Sequence, residues 1–132
     1  LIQKQHNLAA RIVLNNYDFI HHDGSDLCDH LKWKSFDERY RYATCCMIYK
    51  CVHGLVPNYL SDPILYEFEV HNYFTRRAIN NDLHLPMPKI ERYKMSLFYN
   101  GAKMWNSLSN ATRDSNSILS FKSNYHKEHL QF

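Results

Sequence analysis

The stretch SFDERYRYATCCMIYKCVHGL, residues 35–55, constrains the fold more than any other part of the chain. Ser35 and Glu38 have the spacing of a capping box, in which each side chain bonds a backbone N–H at the start of a helix. Gly54 suits the left-handed residue that follows a helix, and Pro57 blocks continuation. These signals predict a helix over about 35–53, followed by a short helix at 58–61.

The apolar residues of this helix recur at spacings of three and four, which is the pattern of a helix with one buried face. The predicted core stripe consists of Phe36, Tyr40, Ala43, Met47 and Cys51, with Thr44 and Ile48 beside it.

Further helices are predicted at both ends of the chain. Residues 1–16 form an amphipathic pattern with Ile2, Ala9, Ile12 and Val13 on one face. Ser25 is predicted to cap a short helix that ends at Leu31. Ser117 is predicted to cap a last helix, with a shared face made of Ile118, Phe121, Tyr125 and His129.

The middle of the chain has weaker patterns. Two proline-bounded pieces, DPILYEFEV and LHLPMPKI, indicate extended backbone and allow a short β-hairpin around residues 83–99. Gly101 is predicted to separate an extended piece from a helix that runs to about Leu108. The fold class is therefore mainly α, a single domain over 1–132 with four to five helices. Its predicted core is Trp33, Tyr40, Met47, Phe98, Trp105 and Phe121.

Positive charge is concentrated in one region. The whole chain carries a net charge of +3, but residues 75–113 hold seven Lys or Arg against two Asp or Glu, while residues 61–74 hold three acidic residues and no basic one. The candidate nucleic-acid-binding residues are Arg76, Arg77, Lys89, Arg92, Lys94, Lys103 and Arg113. They are interleaved with Tyr73, Phe74, Tyr93, Phe98, Tyr99 and Trp105.

Two interpretations of this basic region stay open on the sequence alone. Cations neutralise phosphates and aromatic rings stack on unpaired bases, so the mixture is compatible with binding of RNA or DNA. The alternative is a solvated basic face over an aromatic core, in which Phe98 and Trp105 are core residues.

Motifs for catalysis or metal binding do not occur. Cys28, Cys45, Cys46 and Cys51 lack the paired spacing of structural zinc sites, as do His21, His22 and His53, so no metal is predicted. Buried, reduced thiols of an intracellular protein are expected instead. The sequence has no nucleophile elbow, no phosphate-binding glycine loop and no carboxylate pair placed for two metal ions. Its apolar runs are too short to cross a bilayer, so no membrane partner is predicted.

A set of motifs in a fixed order resembles a known family. The set consists of QKQHNLAARIVL, Trp33, MIYKCVHGLVPNYLSD, TRRAINNDLHLPMP and SLFYNGAKMWNSLSNATRDSNSILSFKSNYHKEHL. Together these resemble the C-terminal region of reverse transcriptases from non-LTR (LINE-type, jockey-like) retrotransposons, over nearly all of the chain. Ser109 departs from the pattern, since the family usually has proline after the WNSL element.

The resemblance implies a noncatalytic module that follows the polymerase palm and lies near the thumb. The palm aspartates and their divalent metals would belong to an upstream domain of the same parent chain, which would be the module's intramolecular partner. A sequence that begins without Met at a helical pattern suggests that the first helix is truncated. The implied partners are RNA or DNA, the implied location is the nucleus or cytoplasm, and neither catalysis nor a cofactor is expected from this chain alone.

Two other hypotheses remain. The module could be a structural scaffold that packs on the polymerase body or on a partner protein without touching nucleic acid. It could also be a decayed remnant with no present activity.

Overall fold

The computed structural model describes residues 1–18 and 22–129. His21, which the sequence analysis weighed as a ligand, lies outside these ranges. By its internal contacts the chain divides into two compact units, Leu1–Arg41 and Tyr42–Phe132. The single module over 1–132 stays a prediction.

The described residues are mainly helical, which confirms the predicted fold class. The α-helices are α1 (Ile2–Leu14), α2 (Gly24–His30), α3 (Phe36–Val52), α4 (Asn58–Ser61), α5 (Glu67–Val70), α6 (Arg76–Ile79), α7 (Ala102–Asn106), α8 (Asn110–Arg113) and α9 (Ile118–His129). A 3-10 helix spans Glu91–Met95, and a π-helix spans Leu97–Gly101 and runs into α7. Five of the nine α-helices that residues 1–18 and 22–129 form have only four or five residues, so the connections are more helical than predicted.

The β-hairpin expected around residues 83–99 is wrong. Within the described ranges, β pairing is limited to one isolated antiparallel bridge between Tyr66 and Leu83. Pro86 and Pro88 lack the N–H that a strand ladder requires. Ser96 instead caps the π-helix, because its side chain accepts a hydrogen bond from the Tyr99 N–H at 3.3 Å. The segment therefore coils where the alternation suggested a strand.

The first unit packs α1 on α2 around a small core of Ala10, Leu27 and Cys28. Trp33, which was predicted as a core residue, is half-buried against these three residues. The predicted inner face of α1 is wrong, since Ile2, Ala9, Ile12 and Val13 are all exposed. Instead, α1 buries Ala10 and Arg11, and the contacts of the Arg11 guanidinium explain why this side of the helix faces inward. The guanidinium is buried and donates to the carbonyls of Asp18 and His22, at 2.9 and 2.7 Å.

Helix α3 begins and ends as predicted. The Glu38 N–H donates to Ser35 Oγ at 3.2 Å, and the Ser35 N–H donates to the Glu38 carboxylate at 2.9 Å, which completes the capping box. After the helix, Gly54 has a φ of 65°. The Gly54 and Leu55 N–H groups donate to the last carbonyls of α3, in the usual glycine-stopped C-cap.

The buried face of α3 differs from the predicted stripe. Tyr40 and Met47 are exposed, whereas Cys45, Ile48 and Tyr49 are buried in the core of the second unit. The predicted stripe was anchored on Phe36 and Tyr40, which belong to the first unit. Residues from Tyr42 onward pack in the second unit. Its buried face begins at Cys45 and continues at spacings of three and four with Ile48 and Tyr49.

The second unit has an aromatic core, contributed by α3, α7 and α9. Trp105 and Phe121 are fully buried and stacked, with ring centroids 5.8 Å apart, as the sequence predicted. Tyr49 packs against Phe121 at 4.7 Å, and its hydroxyl donates to the Ser115 carbonyl at 2.8 Å. Ser117 caps α9 as predicted, since its Oγ accepts from the Ser120 N–H.

Gly101 is a point of close contact rather than a break. Its backbone is right-handed helical, at the junction of the π-helix and α7. A Cβ placed there would lie 2.8 Å from Ile48 Cδ1 and 3.2 Å from Leu97 Cδ1. A larger residue at this position would force the buried Ile48 side chain of α3 to shift.

Candidate nucleic-acid interface and a Glu–His–His cluster

Two exposed aromatic residues lie directly before two exposed arginines, in the loop that leads into α6. Tyr73 is 78% and Phe74 is 96% exposed, although the solvation of such rings is unfavourable. Arg76 and Arg77 occupy the first turn of α6. Thr75 caps this helix, because its Oγ1 accepts from the Ala78 N–H at 3.2 Å. The cap makes Thr75 the boundary between the loop that holds Tyr73 and Phe74 and the helical turn that holds Arg76 and Arg77.

An apolar groove connects these rings to helix α5. It has a volume of about 360 Å³, and its lining includes Phe68, His71, Tyr73, Phe74 and Ile79. Phe68 is half-exposed and stacks on Tyr66, with centroids 5.1 Å apart. An apolar groove with exposed aromatic rings, close in sequence to two exposed arginines, has the components of a base-stacking surface.

The other predicted cations lie on later turns of the second unit. Lys89 is exposed, Arg92 and Lys94 are on the 3-10 helix, and Lys103 is exposed on α7. Lys94 Nζ is 2.6 Å from Glu91 Oε1, and this hydrogen bond raises the lysine pKa. The 3-10 helix packs on the π-helix, which continues into α7, so Arg92, Lys94 and Lys103 follow one another on adjoining helical turns.

Arg113 must be removed from the proposed nucleic-acid surface. Its side chain is only 9% exposed, and Nη1 lies 2.9 Å from the Asp82 carboxylate. The same guanidinium donates to the Asn81 carbonyl and to the side chain of Asn110. It therefore ties α8 to the loop after α6, and its charge is already paired with Asp82.

The aromatic residues predicted to interleave with the cations fall into two groups. Tyr73, Phe74 and Tyr93 are exposed and accessible to a ligand. Trp105 is core, whereas Phe98 and Tyr99 are half-buried on the π-helix. The two interpretations of the sequence thus apply to different residues: the first group can contact a ligand, while Trp105 packs the interior.

Helix α5 presents a cluster that the sequence analysis missed. Glu67 Oε2 lies 3.0 Å from His84 Nδ1, and Glu67 Oε1 lies 3.8 Å from His71 Nε2. The two imidazoles meet edge-on, with ring centroids 5.6 Å apart. The Glu67 side chain is buried, at 10% exposure, whereas His71 is 47% exposed. One carboxylate and two imidazoles therefore converge at the surface of the second unit, next to the groove that His71 lines.

The backbone on both sides of this cluster is held by hydrogen bonds. The Glu67 N–H donates to the Asp82 carbonyl at 2.9 Å, and the His84 N–H donates to the Leu65 carbonyl at 2.8 Å. The Asn106 amide both accepts from the Leu83 N–H and donates to the Leu83 carbonyl, each at 2.8 Å. These bonds fix the position of His84 relative to α5.

A partial sequence signal for the cluster existed. Glu67 and His71 are four residues apart, which places two side chains on one face of a helix. The third member could not be found, because nothing in the sequence indicates that the two pieces predicted as extended pair with each other at Tyr66 and Leu83.

The four cysteines are buried thiols that are not joined in disulfides. Burial raises the pKa of Cys28, Cys46 and Cys51, which keeps these thiols protonated and unreactive at neutral pH. His53, considered beside them as a ligand, has its Nδ1 2.9 Å from the Tyr49 carbonyl and stacks on the Tyr49 ring.

Across the parts of the chain that the structure describes, every helix is too short or too polar to cross a membrane. Comparison of the chain with protein-family profiles, with curated proteins and with solved structures gives no significant match.

Proposed function

We propose that this chain is a noncatalytic C-terminal part of a non-LTR retrotransposon reverse transcriptase, and that it supports sequence-tolerant binding of template RNA or target DNA. The family assignment rests on the ordered motifs of the sequence. The observation that carries the binding proposal is the groove lined by Phe68, Tyr73 and Phe74 beside Arg76 and Arg77. Bases stack in the groove while the guanidinium groups contact phosphates.

Such contacts position a strand without reading its sequence, because phosphates and ring faces are common to all nucleotides. Lys89, Arg92, Lys94 and Lys103 extend the contacts along the backbone of the strand. Lys94 contributes least, since its ammonium is already paired with Glu91.

The test is binding of the full chain to single-stranded RNA and DNA of several sequences at increasing salt. We expect log K to fall linearly with log[salt], with little dependence on sequence. The double variant R76A/R77A should lower the salt slope by about 1.4 for a single strand. Phe74→Ala should weaken binding by about 1–3 kcal/mol without changing the slope.

The matched control is the double variant K4A/K127A, which removes the same charge from exposed positions on α1 and α9. It should leave the salt slope unchanged. A slope that is flat in the wild type, or equal losses in both double variants, would reject the groove as the binding surface.

A second candidate function is a scaffold that packs on the polymerase body or a partner protein. The observation in its favour is the outer face of α1, where Ile2, Ile12 and Val13 are each more than half exposed. Replacing Ile12 and Val13 by Ser should leave the first unit folded. Loss of partner binding with nucleic-acid affinity unchanged would favour the scaffold.

A further inference from the structure

We propose that Glu67, His71 and His84 form a binding site for a divalent first-row transition-metal ion, with Zn²⁺ as its reference ligand. The site is independent of the proposed nucleic-acid function. A bound ion would link α5 and the residue after it, His71, to His84, which follows the Tyr66–Leu83 bridge.

The two distances between Glu67 and the imidazoles are close to those that a tetrahedral ion requires. Zinc binds imidazole nitrogen and carboxylate oxygen at about 2.0–2.2 Å, which puts neighbouring ligand atoms about 3.3 Å apart. The two distances from the Glu67 oxygens, 3.0 Å to His84 Nδ1 and 3.8 Å to His71 Nε2, lie on either side of that value. One candidate ligand atom from each of the three residues lies within 4.8 Å of the others, so small side-chain rotations suffice.

The charge of the site favours a cation. The Glu67 carboxylate is nine-tenths buried, and burial of a charge is costly unless the charge is paired. Its ion-pair contacts within the described ranges are the two imidazoles, while the nearby Arg113 is engaged by Asp82. A metal ion between the three groups would neutralise the carboxylate.

The protein holds the ligands in place before any ion arrives. Glu67 begins α5 and His71 follows directly after the helix, where the His71 N–H donates to the Glu67 carbonyl at 3.1 Å. The backbone bonds from His84 to Leu65 and from Glu67 to Asp82 fix the third ligand. Asn106 supports the same segment through both polar atoms of its amide. The half-exposed His71 provides the entry path and leaves a coordination position open to water.

The donor set selects the class of ion. Two imidazoles and one carboxylate suit Zn²⁺, Co²⁺, Ni²⁺, Cu²⁺ or Fe²⁺. Mg²⁺ demands near-octahedral coordination by oxygen, which these residues do not supply. The palm metals that a parent polymerase would use are therefore of a different class from the ion expected here.

The test uses the full chain, stripped of metal with a chelator and titrated with Zn²⁺ by calorimetry. We expect one ion per chain and a higher thermal unfolding temperature in its presence. His71→Ala is the decisive variant, because its half-exposed ring can be removed with the fold intact. It should weaken Zn²⁺ affinity at least about tenfold, as should Glu67→Gln and His84→Ala. The metal-free melt of His71→Ala should match that of the wild type.

His30→Ala, at an exposed position of α2, is the matched control and should keep wild-type affinity. The visible spectrum of bound Co²⁺ should lack the charge-transfer band of thiolate ligands, which excludes the cysteines. The proposal is overturned if His71→Ala binds Zn²⁺ as the wild type does, if that band appears, or if Mg²⁺ stabilises the chain equally. Nucleic-acid affinity of the same variants is a separate measurement, so either proposal can fail alone.

Discussion

Glu128 holds the short helix α8 to α9 through one carboxylate. It accepts hydrogen bonds from the Ser109 N–H at 2.9 Å, from Ser109 Oγ at 2.8 Å and from Thr112 Oγ1 at 2.6 Å. Burial alone would raise the pKa of this carboxyl, but the hydrogen bonds from Thr112 and Ser109 outweigh it and lower the pKa. Ser109 stands where the resembled family usually has proline, whose missing N–H could not make the first of these bonds.

Because the folded state lowers the pKa of Glu128, the carboxylate stabilises the fold above the ordinary glutamate pKa of about 4.3. This contribution is lost as the pH falls through the lower, folded pKa. We expect Glu128→Gln to cost about 1 kcal/mol at neutral pH and to reduce the loss of stability in acid, measured by urea unfolding between about pH 3 and 7.

The control for Glu128 is Glu91→Gln, whose partner is an exposed lysine and whose ion pair contributes little. An unchanged pH profile in Glu128→Gln would mean that its hydrogen bonds make no net contribution to stability.

Among the elements, those defined by local chemistry were predictable. The capping box at Ser35, the glycine stop at Gly54 and the cap at Ser117 each rest on side chains within a few residues of the backbone groups they satisfy, so α3 and α9 were placed nearly correctly. The short helix at 58–61 was found for the same reason. Its bounds follow directly after Pro57.

Which face a helix buries was predicted less well, because that depends on partners distant in sequence. In α1, the bonds of Arg11 to two loop carbonyls turn Ala10 inward. In the candidate site, Arg113 looked like a surface cation because its partner Asp82 is 31 residues away. The Glu67–His71–His84 cluster depends on the bridge between Tyr66 and Leu83, a pairing 17 residues apart that the sequence pattern does not specify.

The π-helix and α7 form one element whose contact with α3 depends on Gly101. Replacing it by alanine should destabilise the chain by about 1–3 kcal/mol, since the added methyl meets Ile48 Cδ1 at 2.8 Å. The double variant with Ile48→Val should recover part of that loss, which a double-mutant cycle in urea would measure. If alanine at 101 is neutral, the approach of the two helices is looser than described. Gly54→Ala is the comparison, since its left-handed φ makes alanine costly with no contact involved.

At the scale of the whole molecule, the two units differ in the size of their cores. Among the described residues, the first unit buries Ala10, Leu27 and Cys28, whereas the second buries ten apolar side chains, including Trp105 and Phe121. Local opening is easier where few apolar contacts oppose it. The second unit should therefore be the more stable of the two.

Amide hydrogen exchange of the full chain tests this difference. We expect the amides of α1 and α2 to exchange faster than those of residues 42–52 of α3 and of α9. The free energy of opening in the second unit should approach the global free energy of unfolding. Phe121→Ala should lower protection throughout the second unit, at a cost of about 3–5 kcal/mol. Equal protection in both units would contradict the ranking.

The Asn106 side chain behaves like a short piece of a neighbouring strand, since its amide offers the Leu83 backbone the donor and the acceptor that a peptide unit would offer. These two hydrogen bonds hold the ends of the segment 83–106 together, so that the segment forms a closed loop. Loop closure depends only weakly on loop length, so the polypeptide between these anchors is free to lengthen, shorten or change composition at little energetic cost. We therefore expect related chains to differ most in length between residues 85 and 96, and an engineered insertion there to be tolerated.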